Sequence, residues 1–540
     1  MTVSSTGPLT VLVSTRAVIT LPDDTLLLTP ASISVSSATG KIVSVVPAIL
    51  PRSSFPPSAT YIDYSPKLLL PGLVDAHVHL NEPGRTEWEG FHTGTRAAAS
   101  GGVTTVIDMP LNAIPPTTTL SGLKEKLAAS QGQCWVDVGF YGGVIPGNAD
   151  QLLPLVEAGV RGFKGFLIES GVEEFPAVSS TDIALAMTTL KDTPTTLMFH
   201  AEMIPPISDS VGDAVQHSEP PLAPHGQLTS YQTFLESRPP AFETFAIDEI
   251  LSLAHLAPGL HLHIVHLSAT ECIPLLKEAR KNGVNITAET CFHYLGLAAE
   301  DVSDGDTRHK CCPPIRSAVN QDGLWAEMAA PDSVIRTVVS DHSPCTPELK
   351  LLPSHLQHTH VEEIIEAEAM KHSDSGIDMT LPAGERAKHK APAAAQPAVE
   401  EGDFFAAWGG ISSVGLGLPI LHTSSLQRSK SASSAPSIVD IVRLCSQATA
   451  KQVGLSHRKG GLRAGMDADV CVFDDAEEWT LGSGGMHWKN RCSPWEDRTF
   501  TGRVRETWLR GRKVFEYGGE NGGFVCGTPA GEAIVERRTA

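Results

Sequence analysis

The 540-residue sequence predicts an α/β fold, a TIM (β/α)8 barrel with a small β-sandwich domain formed from both ends of the sequence. Eight apolar, β-branched runs recur over about 280 residues, at intervals that suit an intervening helix. These runs are continuous rather than alternating, which is typical of parallel strands buried on both faces. Short β-rich runs precede the first of them and return after Gly461, so both ends are predicted to form sheet.

The predicted barrel strands follow one another as LLLPGLVDAHVHL, GGVTTVIDMP, CWVDVGFYGG, VRGFKGFLI, TTLMFHAE, LHLHIVHLS, VNITAETC and VIRTVVSDHSP. Helices are predicted between them, for example over Glu87–Ser100, Ser121–Ser130 and Phe242–Leu256. A further helix is predicted after the eighth strand, over Ile438–Val453. Strand and helix therefore alternate through the middle of the chain, as a barrel requires.

The composition also suggests where the domains divide. We expect the small β-domain to consist of residues 1–65 and 456–540, with the barrel at residues 66–455. Within the barrel, residues 351–401 become polar and then rich in alanine, proline and charge, as in GERAKHKAPAAAQPAVEEG. Such a segment cannot bury enough apolar surface to fold by itself, so we expect a mobile surface insertion there.

Charge and cysteine usage exclude several function classes. The chain has 41 Lys and Arg against 61 Asp and Glu, and a net charge of −20 repels phosphate backbones and anionic lipid. It contains no run of about 18 apolar residues and no secretory leader pattern at its start. The ten cysteines include no CxxC pair. We therefore expect a cytoplasmic protein with reduced thiols that binds neither nucleic acid nor a membrane.

Candidate metal ligands stand at the ends of the predicted strands. His77 and His79 close the first strand, and their i, i+2 spacing points both imidazoles to the same side. His200 closes the fifth strand, His266 the sixth and Asp341 the eighth. Catalytic groups of TIM barrels cluster at the carboxyl ends of the strands. The pattern therefore predicts a metal site at the mouth of the barrel.

Lys164 lies in the fourth predicted strand, between phenylalanine and glycine residues. A buried lysine is costly unless its charge is neutralised or altered. Two explanations are open on the residues alone. The lysine pairs with an acidic side chain, or its amine is modified by CO2 to an anionic carbamate whose two oxygens bridge two cations.

The motifs PGLVDAHVHL, EPGR, FKGF, HAE, VHLS, ETCFHYL, CCPPIR and SDHSPC resemble those of the cyclic amidohydrolases of the amidohydrolase superfamily. Within that family, NEPGRTEWEGFHTGTRAAASGGVTTVIDMPLN, WGGIS and HRKGGLRAGMDAD are similar to segments of allantoinases. The resemblance spans roughly Val11–Tyr517. It implies a metal-dependent enzyme, commonly a homotetramer, whose small-molecule substrate is allantoin. The reaction it implies is hydrolysis of the cyclic amide bond to give allantoate in purine (ureide) catabolism.

The resemblance also assigns roles to the candidate ligands. It implies two divalent metal ions per chain, usually Zn²⁺, at the barrel mouth. Lys164, carboxylated by CO2 or bicarbonate, would bridge the two ions. The more buried ion would be held by His77, His79 and Asp341, and the other ion by His200 and His266.

Other roles concern the reaction and the substrate. Asp341 keeps a second carboxylate oxygen, and we assign this residue as the general base that later returns the proton to the leaving ring nitrogen. The resemblance places substrate contacts near Asn112, Cys312 and Gly410, since backbone groups suit a hydantoin ring of alternating N–H and C=O groups. One residue departs from the family pattern: Phe292 stands where the Cys-Pro-His-Tyr element usually has proline.

Three alternative functions fit parts of the same pattern. A dihydroorotase normally has an arginine after His-x-His-Leu to bind the substrate carboxylate, but Asn81 stands there. A hydantoinase or dihydropyrimidinase shares the chemistry more closely and usually lacks EPGRTEWEG, so we rank it second. A non-catalytic scaffold relative usually loses metal ligands, and none is missing here.

Overall fold

The computed structural model describes residues 8–205, 224–354, 356, 400–430 and 435–539. Most of the predicted mobile insertion at residues 351–401 lies outside these described residues. Within them, no helix combines the length and the apolar composition needed to cross a membrane.

Both ends of the sequence build one sheet, as predicted. In the described residues this sheet has eight strands. They are β1 (Leu9–Thr20), β2 (Leu26–Ser36), β3 (Ile42–Val46), β4 (Thr60–Asp63), β5 (Leu68–Pro71), β15 (Val470–Thr480), β16 (Thr499–Leu509) and β17 (Arg512–Glu516).

Strand β1 is the strand at which this sheet branches, because it pairs with β2, β4 and β5. The register of its pairing with β2 shifts between Ser14 and Ala17, and such bulges bend a strand. Before the shift β1 pairs with β4, and after it β1 pairs with β5. Strand β5 then pairs antiparallel with β15, with Pro71 opposite Val470. The predicted domain boundaries at 65/66 and 455/456 stay predictions.

Parallel strands form the barrel domain and confirm the predicted fold class. They are β6 (Leu73–Val78), β7 (Val103–Asp108), β8 (Asp137–Phe140), β9 (Gly142–Gly143), β10 (Phe163–Phe166), β11 (Thr196–His200), β12 (His261–Ile264), β13 (Ile286–Cys291) and β14 (Ile335–Val339). Neighbours in sequence pair from β6 to β8 and from β9 to β14. A parallel bridge between Val78 and His342 links β6 to the segment that follows β14.

Helices separate the barrel strands. They are α1 (Phe91–Ser100), α2 (Leu120–Ser130), α3 (Ala149–Glu157), α4 (Ser180–Leu190), α5 (Tyr231–Glu236), α6 (Pro240–Leu253), α7 (Cys272–Lys281), α8 (Phe292–Gly296), α9 (Ala318–Ala329), α10 (Gly417–Ser429), α11 (Ile438–Val442) and α12 (Ala448–Gln452). The first predicted helix was too long at its start, because Gly90 has a φ of 112° and α1 begins only at Phe91. A π-helical turn joins α11 to α12 where one helix was predicted.

A buried cluster of charges joins the small sheet to the barrel. The Lys459 Nζ atom lies 2.6 Å from Asp137 on β8 and 2.7 Å from Asp469 beside β15. Asp467 is a third carboxylate, 3.1 Å away. Burial lowers the pKa of Lys459, but these three carboxylates outweigh it and raise the pKa above its ordinary value. The lysine therefore stays charged and holds the two domains together.

Replacing Lys459 with methionine should destabilise the protein strongly. The variant leaves buried carboxylates without their shared cation, a change that costs about 3–5 kcal/mol in the free energy of unfolding. Urea unfolding followed by circular dichroism measures the loss. Lys451→Met, on the exposed face of α12, is the matched control and should unfold like the wild type. Equal stability of the two variants would contradict the bridging role of Lys459.

Candidate active site

The structure brings all six predicted ligands to the carboxyl ends of the barrel strands. His77 and Lys164 lie within β6 and β10, and His200 is the last residue of β11. His79, His266 and Asp341 lie in the segments that follow β6, β12 and β14. None of the six residues is more than 7% exposed. Burying this many polar groups is costly unless they are hydrogen-bonded, paired with opposite charges or bound to a metal ion.

The first part of the cluster surrounds Asp341. Its Oδ1 atom lies 3.1 Å from His77 Nε2 and 3.5 Å from His79 Nε2. The Lys164 Nζ atom lies 3.2 Å from the same His77 nitrogen. The Asp341 oxygen and the Lys164 amine therefore both face His77 Nε2, and the same Asp341 oxygen faces His79 Nε2. His77, His79 and Asp341 form a group with the ligand types that hold a metal ion.

The second part of the cluster is a pair of imidazoles. His200 Nδ1 lies 3.1 Å from His266 Nε2, and the ring of Phe166 stacks on His200 with centroids 4.5 Å apart. The other ring nitrogen of His266, Nδ1, is buried with no hydrogen-bond partner among the described residues. A divalent cation between two imidazole lone pairs suits this arrangement, so these residues fit the metal that the sequence predicted.

Outer side chains hold three of the four histidines in place. Glu289 Oε1 lies 2.6 Å from His77 Nδ1, Glu202 Oε2 lies 2.7 Å from His200 Nε2, and Asn112 Nδ2 lies 3.3 Å from His79 Nδ1. Carboxylate partners behind ligating imidazoles fix the tautomer and the orientation of the ring.

Both outer carboxylates are ionised. Burial raises the pKa of Glu289, but hydrogen bonds from His263 and His77 outweigh it and leave the pKa at about 2. Burial likewise raises the pKa of Glu202, and the charge of Arg238 with the hydrogen bond from His200 brings it to about 2. Each carboxylate therefore acts only as an acceptor and requires an N–H on the imidazole that faces it.

The surroundings of Lys164 bear on the first of the two explanations that the sequence left open, an ion pair with an acidic side chain. No ion pair of the described residues includes Lys164, and its Nζ atom lies 4.9 Å from the centroid of Phe166. Burial lowers its pKa to about 8, against the opposing effect of Asp341 and Glu289. The structure therefore does not pair Lys164 directly with an acid, and its amine loses its proton far more readily than an exposed lysine does.

A cavity of about 380 Å³ opens beside the cluster. Asn112, Cys312 and Gly410, the predicted substrate contacts, all line it. The N–H of Gly410 donates to the Lys310 carbonyl at 2.8 Å, and its carbonyl accepts from Lys350. A carbonyl oxygen has two lone pairs, so Gly410 keeps one acceptor position for a substrate N–H.

Two buried lysines, which the sequence analysis missed, hold one wall of this cavity. The Lys310 Nζ atom donates to the carbonyls of Phe405 and Ala407, and the Lys350 Nζ atom donates to those of Trp408 and Gly410. Neither lysine belongs to a periodic pattern. The only signal in the sequence is that Lys310 directly precedes the motif CCPPIR.

The segment EPGRTEWEG, residues 82–90, braces the site from the other side. Arg85 donates to the carbonyl of Asn112 at 2.8 Å, and the ring of Trp88 packs edge-on against Trp408 with centroids 4.7 Å apart. Glu89 lies 3.2 Å from His342, which follows Asp341 directly in the chain. This motif therefore touches both the wall of the cavity and the side chain next to a predicted ligand.

Comparison with known proteins agrees with this geometry. The amidohydrolase family matches residues 68–342, and a second profile of the family matches residues 424–515. The chain is 44% identical to the allantoinase of Saccharomyces cerevisiae over 94% of its own length and 96% of that protein. It is 39% identical to the allantoinase of Streptomyces avermitilis, over 91% and 92% of the two chains.

The chain belongs to the allantoinase branch of the amidohydrolase family. It is a metal-dependent hydrolase of cyclic amides, as the sequence predicted. The allantoinase of Arabidopsis thaliana is a further relative, 36% identical over 91% of this chain and 86% of that protein.

Solved structures of the family share the fold. The L-hydantoinase from Arthrobacter aurescens superposes with a TM-score of 0.74 at 23% identity, over 97% of this chain and 99% of that one. The dihydropyrimidinase from Brevibacillus agri gives 0.73 at 23% identity, over 98% and 99%. At this identity the likeness supports the amidohydrolase fold and not a choice of substrate.

Replacing Glu202 with glutamine should weaken the binding of one metal ion. Glutamine keeps an acceptor for His200 but loses the charge, and such outer partners contribute about 10–100-fold to metal affinity. Competition with a chelator, followed by metal analysis, measures the affinity. Glu236→Gln on the exposed side of α5 is the control. Unchanged affinity in Glu202→Gln would contradict the orienting role.

Proposed function

We propose that this protein is an allantoinase that hydrolyses the cyclic amide bond of allantoin and opens the hydantoin ring to give allantoate in purine (ureide) catabolism. One observation carries the proposal. Four imidazoles, a lysine and a carboxylate converge beside a cavity of about 380 Å³, in a chain that is 44% identical to an allantoinase over nearly its full length.

Two divalent metal ions, expected to be Zn²⁺, complete the proposed site. When bound, such ions lower the pKa of a water molecule and polarise the carbonyl group that it attacks. We assign His77, His79 and Asp341 to one ion and His200 and His266 to the other. Lys164 in its carboxylated form would serve both, since a carbamate is anionic and has two oxygens. The lowered pKa of Lys164 supports this, because only the neutral amine combines with CO2.

Asp341 carries the proton transfer in this proposal. Its Oδ1 atom faces His77 and His79, and a carboxylate has a second oxygen available as a base. Burial raises the pKa of Asp341, but the neighbouring imidazoles outweigh it and keep the pKa well below its ordinary value. Asp341 therefore starts as the ionised base, takes a proton from the attacking water and gives it to the ring nitrogen that leaves.

Asn112, Cys312 and Gly410 are the proposed substrate contacts. A hydantoin ring alternates N–H and C=O groups, and these residues offer an amide side chain and backbone groups at the cavity wall. Asn81 supports a neutral substrate rather than a carboxylate, because it is buried and donates to the Pro344 carbonyl at 3.3 Å. This contact engages Asn81 at the position where a dihydroorotase needs an arginine.

The assembly and the compartment are also proposals. We propose a homotetramer, as the resemblance to cyclic amidohydrolases implies. All ten cysteines are free in the structure, which supports a reducing compartment such as the cytoplasm.

A joint measurement of metal content and substrate preference tests the function. The purified protein should hold about two metal ions per chain, with more metal retained when bicarbonate is present during loading. Allantoin should be hydrolysed much faster than hydantoin, dihydrouracil or dihydroorotate. Preference for hydantoin or dihydrouracil would contradict the assignment of allantoin as the substrate and leave the assignment of the metal site intact. No metal and no turnover after loading with zinc and bicarbonate would favour the scaffold alternative.

Asp341→Asn should retain much of the metal and lose turnover. Asparagine keeps one oxygen ligand but cannot accept the proton, and general base catalysis contributes about 10²–10⁴-fold. Steady-state kinetics with metal analysis on the same sample separates the two effects. Asp304→Asn, at an exposed position, is the control. Activity near that of the wild type would contradict the role of Asp341.

A further inference from the structure

A continuous row of hydrogen bonds runs through the interior of the barrel, starting at His77. Glu289 accepts from His77 Nδ1 at 2.6 Å through one oxygen and contacts His263 Nε2 at 3.1 Å through the other. The second ring nitrogen of His263 lies 2.7 Å from the hydroxyl of Thr287. These groups lead from the carboxyl end of the barrel toward its amino end, where β13 begins.

The row continues to the segment that follows β18 (Ala533–Ile534). The Thr287 hydroxyl also lies 2.7 Å from His261 Nε2, and His261 Nδ1 lies 3.1 Å from the Thr196 hydroxyl. Arg538 Nη1 donates to the same Thr196 hydroxyl at 3.1 Å. Thr196 and His261 are the first residues of β11 and β12. The row therefore connects the proposed metal centre with the opposite end of the barrel.

Hydrogen-bond chemistry favours one direction for this row. A guanidinium has donors and no acceptor, so Thr196 accepts from Arg538. The Thr196 hydroxyl has two acceptors within reach, His261 Nδ1 at 3.1 Å and the Gln452 carbonyl at 3.5 Å, and it donates to the nearer one, His261. His261 then carries its proton on Nε2 and donates to Thr287. Burial lowers the pKa of His261 to about 3, and the charge of Arg538 acts in the same sense, so the ring is neutral.

The other end of the row imposes the same direction. Thr287 accepts from His261 and donates to His263 Nδ1, which leaves the His263 proton on Nε2. Each carboxylate oxygen of Glu289 faces one imidazole nitrogen, so Glu289 accepts one hydrogen bond from His263 Nε2 and one from His77 Nδ1. With its proton on Nδ1, His77 presents the lone pair of Nε2 to the centre.

We propose that Arg538 and Thr287 are positioning residues that act through this row to hold Glu289 and the metal-ligating tautomer of His77. The inference rests on the proposed role of His77 as a ligand. The Arg538 side chain packs closely on the backbone of Gly454, where an added Cβ atom would lie 2.8 Å from the Arg538 Cγ atom. A second donor bond to the Arg161 carbonyl, at 2.7 Å, fixes the guanidinium.

Substitution of Thr287 tests the row at its middle. Thr287→Val keeps the shape of the side chain and removes the hydroxyl, whereas Thr287→Ser keeps the hydroxyl. We expect Thr287→Val to bind one of its two metal ions roughly 10-fold more weakly in chelator competition, the lower end of what outer partners contribute. Thr287→Ser should bind both ions like the wild type, and excess metal should restore kcat in Thr287→Val without a change in KM.

The matched control is Thr290→Val, the same substitution on the same strand. The hydroxyl of Thr290 donates to the Leu267 carbonyl at 2.9 Å, which is not a member of the row. A second pair of variants tests the end of the row at Arg538. Arg538→Met should weaken the binding of the same metal ion, and Arg538→Lys, which keeps a donor, should not. This pair decides the matter if Thr287→Val fails to fold.

The outcomes separate this inference from the proposed function. Suppose that the wild type holds two metal ions and that Thr287→Val and Arg538→Met bind both equally tightly. This result contradicts the positioning role of the row and leaves the proposed function intact. Equal weakening in Thr287→Val and Thr290→Val also overturns it, since the effect is then one of general stability. A wild type that binds no metal overturns the proposed function and this inference with it.

Discussion

The hydrogen bond between Glu289 and His77 is the contact on which the centre of the barrel depends. Six polar side chains meet there with almost no exposure to water, and each imidazole could turn either nitrogen inward. An ionised carboxylate behind His77 removes that freedom, and Glu202 does the same behind His200. The nitrogens that His77 and His200 turn toward the centre are therefore fixed before any ion is bound, which lowers the cost of ordering these two ligands on binding.

Much of the site was predictable because strand ends are visible in a sequence. His77, Lys164 and Asp341 close apolar runs, and parallel strands bring such ends to one mouth. The groups that support them have no comparable signal. Lys310 and Lys350 hold backbone carbonyls of a loop about 60–100 residues further along the chain, a pairing that no local pattern encodes. In the segment LHLHIV, the pattern of residues predicts only a strand and gives no sign that His261 and His263 support the site.

Sequence likeness and fold likeness inform different parts of this molecule. The hydantoinase and dihydropyrimidinase structures share the fold at 23% identity, so they account for the barrel and the small sheet. The segment at residues 82–90 touches Asn112, Trp408 and His342, which lie at or behind the cavity wall. Substrate choice depends on such walls, since the converging ligands serve any cyclic amide.

The pairing of β5 with β15 has a consequence for how the chain acquires its structure. Pro71 pairs with Val470, and the sequence of the whole barrel lies between these two residues. Strand β18, which pairs with β8, lies still further along the sequence. Contacts so distant in sequence form slowly, because a large loop must close before they are made. During synthesis, the edges of β5 and β8 stay unpaired until β15 and β18 have been made. The newly made protein therefore passes through a stage with exposed strand edges, at which chaperones have most to protect.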